Sequence, residues 1–257
     1  MLKSSLLALF ICLTSLSGAD AATLTIAAAS DMVYCLPELV QWFQKSVPGE
    51  RIQTVFGASG SLSAQISHGA PYDVLMSADL RYPQELIQTG AAVEASLVRY
   101  ARGHLVLWTN NPNISFERGM ADLAQAGVRR IALANPETAP YGRAAKIALQ
   151  QTQRWDSDPS RWVFGENIAQ TMQYAETGHA EIAFLSRSLV FSSKMAGKGR
   201  FQTIPDALYP PIDQALVVTR VGAGKPLAAQ FAAFMQTGEA RRILQRNGFS
   251  IPDQRDN

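Results

Sequence analysis

Four short stretches of this 257-residue chain carry residue types that could hold an anion. They are Ala27-Ala28-Ala29-Ser30-Asp31, Gly57-Ala58-Ser59-Gly60-Ser61, Asn135 through Gly142 (Asn-Pro-Glu-Thr-Ala-Pro-Tyr-Gly), and Gly165-Glu166-Asn167-Ile168. Each follows an apolar strand-like run and precedes a helical pattern. A helix start leaves its first N–H groups unpaired and carries roughly half a positive charge. Several such starts converging bind an anion without lysine or arginine. Small residues let the backbone come close, and Ser and Tyr hydroxyls add donors. Taken singly, each junction also reads as plain helix capping, with Ser30 and Ser59 as ordinary N-caps. Recurrence of the pattern, twice in each half, favours one shared site.

Other chemistries find less support. Gly57-Ala58-Ser59-Gly60-Ser61 lacks the last glycine of a G-x-S-x-G nucleophile elbow. His68, His104 and His179 are far apart and have no evident carboxylate partner in the sequence. No His/Cys pair has metal-ligand spacing, and there is no G-x-x-x-x-G-K-[ST] phosphate loop. The four tryptophans read as core residues rather than a stacking platform. With 23 basic and 21 acidic residues the formal charge is +2, and no Lys/Arg run suggests a nucleic-acid partner.

The elements that must position these junctions alternate. Strands are expected at Leu24 to Ala29, Ile52 to Phe56, Val74 to Met76, Leu105 to Trp108, Ile131 to Ala134, Trp162 to Phe164, Glu181 to Leu185 and Ala215 to Thr219. Helical spacing links Val33, Leu36, Leu39 and Phe43, then recurs after each strand. Pro37 should kink or restart the first helix. Asn247-Gly248 should end the last one in a left-handed cap. Repeated strand–helix units predict an α/β protein of mainly parallel sheets flanked by helices, with ligands at the carboxyl ends of the strands. The chain is 47% apolar and long enough for two lobes.

Residues 1–21 read as an export signal: Lys3, a short apolar run through Leu13, and Ala19-Asp20-Ala21 as the cleavage site. Removing them removes Cys12 and leaves Cys35, which lies among Val33, Leu36 and Leu39 and reads as a packed apolar residue.

In their order and spacing, several motifs resemble the molybdate-binding proteins that serve bacterial ABC importers. They are Ala27-Ala28-Ala29-Ser30, Phe56-Gly57-Ala58-Ser59, Gly69-Ala70-Pro71-Tyr72-Asp73-Val74, Ser77-Ala78-Asp79, Asn135-Pro136-Glu137, Pro140-Tyr141-Gly142, Glu166-Asn167-Ile168 and Gly248-Phe249. The resemblance covers nearly all of the chain after the leader. It implies a two-lobed type II periplasmic-binding-protein fold, with lobe I at 22–103 plus 215–257 and lobe II at 104–214. It implies a non-enzymatic, monomeric periplasmic receptor without a cofactor. Its ligand would be molybdate or tungstate and its partner a membrane permease. Binding of sulfate or another oxyanion, or a scaffold turned to sensing or catalysis, is the alternative. The family's first two serines fall on Ser30 and Ser59, its Pro-x-Gly position on Tyr141, and its backbone donor on Ile168. Ser186 stands where one branch has a tyrosine, so Tyr141 is expected to supply the hydroxyl that this later tyrosine supplies elsewhere. Asp31 would repel a dianion and is expected to point away and cap its helix.

Overall fold

The computed structural model describes residues 23–155 and 158–252. The expected leader and its cleavage site lie outside these residues.

Two five-stranded sheets are built on one plan. The first contains β1 (Thr23–Ala29), β2 (Arg51–Gly57), β3 (Val74–Ser77), β4 (Val98–Gly103) and β10 (Ile212–Val218), in the order β2-β1-β3-β10-β4. The second contains β5 (Leu105–Thr109), β6 (Ile131–Ala134), β7 (Trp162–Gly165), β8 (Ile182–Ser186) and β9 (Arg200–Thr203), in the order β7-β6-β8-β5-β9. In each, three neighbouring strands run parallel, and the strand entering from the other half, β10 or β5, runs against both neighbours. Mainly parallel sheets are therefore observed, with one reversed strand apiece.

The central strands are buried along their length, as sheets covered on both faces must be. Helices α1 (Leu36–Gln44), α2 (Ser59–Ser67), α3 (Arg81–Gln88), α7 (Pro226–Phe234) and α8 (Gly238–Arg246) accompany the first sheet. Helices α4 (Pro140–Gln151), α5 (Ile168–Glu176) and α6 (Arg187–Val190) accompany the second. Pro37 does restart the first helical segment. A short 3-10 turn at Ser30–Met32 ends before α1, which begins with the proline in its first turn, where the missing N–H costs no hydrogen bond. Gly248 takes φ +85°, the left-handed cap expected there.

Passage to the second sheet is made at His104, between β4 and β5. The return falls earlier than expected. Ile212, Asp213 and Gln214 already pair with Gly103, Arg102 and Ala101 of β4, so they belong to the first sheet and not to the inserted segment. Strands β4 and β9, absent from the sequence reading, both lie at sheet edges. The tryptophans divide: Trp108 is buried, Trp155 and Trp162 stack at 5.5 Å, but Trp42 is an exposed surface residue under Lys45.

Candidate functional site

All four junctions meet. A small cavity between the sheets is lined by Ser30 and Asp31 after β1, Gly57, Ala58 and Ser59 after β2, Ala139, Pro140 and Tyr141 after β6, and Asn167 and Ile168 after β7. Ala29 and Ala78 complete its wall. Three helices begin at this cavity. Ser59 is the first residue of α2, Tyr141 the second of α4, and Ile168 the first of α5. N–H groups in a first helical turn have no intrahelical acceptor, so each helix brings its positive end to the same place. Among the described residues, no lysine or arginine lines the wall.

Neither serine is a cap. Ser30 Oγ donates to the Gly57 carbonyl at 3.0 Å, tying the end of β1 to that of β2. Ser59 lies inside α2, behind the capless Ala58, and its Oγ accepts the Ala78 N–H at 3.0 Å. That bond uses a lone pair and leaves the hydroxyl proton for a ligand. On α5, Asn167 is a true cap: its side chain accepts from the Ala169 and Gln170 N–H groups and leaves that of Ile168. Alanine or glycine neighbours keep the wall thin. A Cβ at Gly60 would stand 2.8 Å from the Thr138 carbonyl, the group to which the Gly60 N–H donates across the cleft at 2.9 Å. A Cβ at Gly142 would come within 2.0 Å of the Ala134 carbonyl, so Pro-Tyr-Gly needs its glycine for α4 to start this close to β6.

Tyr141 and Asp31 depart from expectation. Asp31 neither caps a helix nor points to water; it is 1% exposed and faces Tyr141. The Tyr141 hydroxyl donates to Asp31 Oδ2 at 3.0 Å, and Gln214 Nε2 donates to the same oxygen. Gln214 also reaches Tyr141 Oη at 3.2 Å and accepts from Tyr100 at 2.8 Å. Asp31 Oδ1 is buried with no hydrogen-bond partner among the described residues. Burial pushes the Asp31 carboxyl up to about 6, against the lowering effect of Gln214 and Tyr141. Burial, then the neighbouring Asp31 charge, push the Tyr141 phenol far above its ordinary range, so it stays a donor. From the sequence Gln214 reads as the end of the inserted segment, just before a strand at Ala215; in the structure it lies within β10 and meets Asp31.

Ser186 is not brought to the cavity wall. It caps α6, accepting from the Leu189 N–H, and its Oγ lies 2.9 Å from Ser188 Oγ. Ser188 in turn donates to the Asp31 carbonyl at 2.9 Å. Ser186 therefore stands one residue behind the wall.

At the rim, Arg143 reaches Asp79 at 3.1 Å and Tyr82 at 3.3 Å, joining the two halves. At the crossing, His104 does have a carboxylate partner. Its Nδ1 lies 3.2 Å from Asp206 and its Nε2 2.7 Å from Ser250 Oγ. Sequence separation hid this line, which ties the C-terminal residues to the crossing and does not involve Ser59. Cys35 is buried and its thiol is pushed up strongly by that burial, in keeping with a packed residue and not a nucleophile.

Comparison with known proteins adds independent findings. The family model described as bacterial extracellular solute-binding protein matches residues 24–250. The molybdate-binding protein ModA of Azotobacter vinelandii is 32% identical over 233 residues, 91% of this chain and 92% of that protein. Its namesake from Rhodobacter capsulatus is 33% identical over 201 residues, 78% of each. The solved structure of the Azotobacter vinelandii periplasmic molybdate-binding protein superposes with a TM-score of 0.84, covering 90% of this chain and 100% of that one.

Proposed function

The chain belongs to the bacterial extracellular solute-binding protein family, and on that premise we propose that it captures molybdate in the cavity between its two sheets and delivers it to a membrane ABC permease. Tungstate, alike in charge and nearly so in size, would bind comparably. The proposed location is the periplasm, reached by the export signal. The family is one of binding proteins, and the chemistry needed here is capture.

One observation carries the reading: the starts of α2, α4 and α5 converge on a wall without lysine or arginine. Molybdate is a tetrahedral dianion without a proton near neutral pH, so its oxygens need donors. The proposed donors are the Ser59 hydroxyl and N–H, the Ser30 N–H with its hydroxyl turned from Gly57, the first-turn N–H of Tyr141, and the Ile168 N–H. Direct contact by the Tyr141 hydroxyl would require it to leave Asp31. Ser186 would act through Ser188 and Asp31, as support. The proposed halves exchange at His104 and near Ile212, so a ligand touching both would favour the closed arrangement by its added contacts.

Size would reject sulfate, since a smaller dianion cannot reach donors on both sides. Thermal melts with molybdate, tungstate, sulfate and phosphate test the reading, because a ligand stabilises by RT ln(1 + [L]/Kd). Molybdate and tungstate should each raise Tm well above the sulfate value. Equal shifts with sulfate, or no shift with any oxyanion, would overturn it.

A further inference from the structure

A carboxylate at an anion site is a conflict, and among the described residues Asp31 is the one charged side chain in the cavity wall. Among the described residues its surroundings offer no countercharge. From α4 it meets the Tyr141 hydroxyl and from β10 the Gln214 amide, while Asp213 on β10 is held by Arg102. From β4 the neutral Tyr100 phenol lies behind Gln214, and ahead of α1 lies the neutral Cys35 thiol. From α6 the Ser188 hydroxyl bonds the Asp31 carbonyl, and Arg187 turns to the Gly248 carbonyl and Ser250. From β2 and α5 the cavity residues are Gly57, Asn167 and Ile168, all uncharged. Arg143, across the rim, is paired with Asp79.

We propose that Asp31 couples oxyanion capture to the uptake of one proton from solvent. The inference rests on the reading that the dianion binds in this cavity. The carboxylate holds the Tyr141 hydroxyl and the Gln214 amide as an anion of the protein's own. A dianion entering beside it competes for the tyrosine proton and repels the carboxylate charge. Protonation of Asp31 removes that repulsion and turns an acceptor into a donor. The proton passes from buffer to a carboxylate oxygen, no bond of the oxyanion breaks, and the net charge added per capture is minus one. The partnerless Oδ1 provides a place for that proton. Burial already holds the carboxyl at about 6, part of the way to being neutral at physiological pH, and the neighbouring dianion would supply the remaining rise.

The sign follows from linkage. Binding takes up a proton between the free value near 6 and the higher bound value. Affinity then falls as pH rises through that window, by up to about tenfold per unit. Below about pH 5 both states are protonated and affinity is flat.

Calorimetric titration with sodium molybdate at pH 5, 7 and 8, in paired buffers of different ionisation enthalpy, reads proton uptake directly. The wild-type chain should take up close to one proton per anion at pH 7 and almost none at pH 5. Asp31→Asn, which keeps an acceptor for Tyr141, should take up none and bind with an affinity that hardly changes with pH. Binding by the wild-type chain without proton uptake at pH 7 and 8 would overturn this inference alone. Uptake that persists in Asp31→Asn would move it to another group and overturn it too. Absence of binding at every pH would overturn the functional reading along with it. The wild-type measurement stands even if the variant fails to fold.

Discussion

Two helix starts face each other across the cleft from corresponding places in the two sheets. Helix α2 follows β2 and helix α5 follows β7, and both strands are the outer neighbours of a central parallel strand. Helix α5 is capped by its own Asn167, which satisfies two of its first-turn N–H groups. Helix α2 begins after Ala58, with no side-chain cap, and Ser59 sits one position inside it. Capping stabilises by about 1 kcal/mol, so α2 forgoes stability that α5 keeps. The contrast teaches that α2 leaves its first turn open to a ligand, whereas α5 is capped locally and leaves the Ile168 N–H. What the second half adds is reach: Thr138 accepts the Gly60 N–H, and Tyr141 crosses to Asp31.

The largest expected effect sharpens this contrast through Asp31. A carboxyl whose folded value lies above the unfolded 3.8 favours the fold fully only below that pH. Stability should fall by about 3 kcal/mol as pH rises from 4 to above 6. Asp31→Asn should be as stable as the wild type at pH 4 and more stable by about that amount at pH 7, by urea melts. Identical pH profiles would show that the carboxyl is not strained by burial.

Next comes Ser59→Ala. Loss of a hydroxyl donated to an anion should weaken molybdate binding by about 2 kcal/mol, roughly thirtyfold, in a titration. Losing the acceptor for the Ala78 N–H should cost the ligand-free chain about 1–2 kcal/mol as well. Unchanged affinity would remove Ser59 from the site. Ser30→Ala should weaken binding less, because its proton is already given to Gly57.

Asn167→Ala tests the capped partner. It should lower stability by about 1 kcal/mol and alter affinity less than Ser59→Ala. A larger loss of affinity than of stability would make Asn167 a contact residue. The smallest effect belongs to Arg143→Met, which removes the rim pair with Asp79. Side chains there are about a quarter exposed (26% and 27%), and such pairs contribute less than about 1 kcal/mol. Its effect on affinity should shrink further in salt.

Much of this arrangement was legible along the chain. Apolar runs and helical spacing located most of the strands and helices, Pro37 marked the restart and Gly248 the last cap. The four junctions announced themselves by small residues and hydroxyls. Edge strands were not legible, because β4 mixes half-buried and buried positions without alternation, β9 is mostly exposed, and both owe their state to pairing with β10 and β5. Partners 110 and 183 positions away bury Asp31, which no local pattern reveals. Its carboxylate directly after Ser30 was the available signal, and capping was the wrong meaning to give it. Likewise, Ser30 and Ser59 suit N-caps by type, but neighbouring strand ends claim both side chains.

The central claim is that helix starts and hydroxyls from both halves hold a dianion without any lysine or arginine. A crystal structure with tungstate bound, its heavy atom located by anomalous scattering, tests it most directly. The account predicts the ion between the first turns of α2, α4 and α5, with the Ser59 hydroxyl and the Ile168 N–H among its donors. An ion found elsewhere, or one gripped chiefly by arginine or lysine, would contradict it.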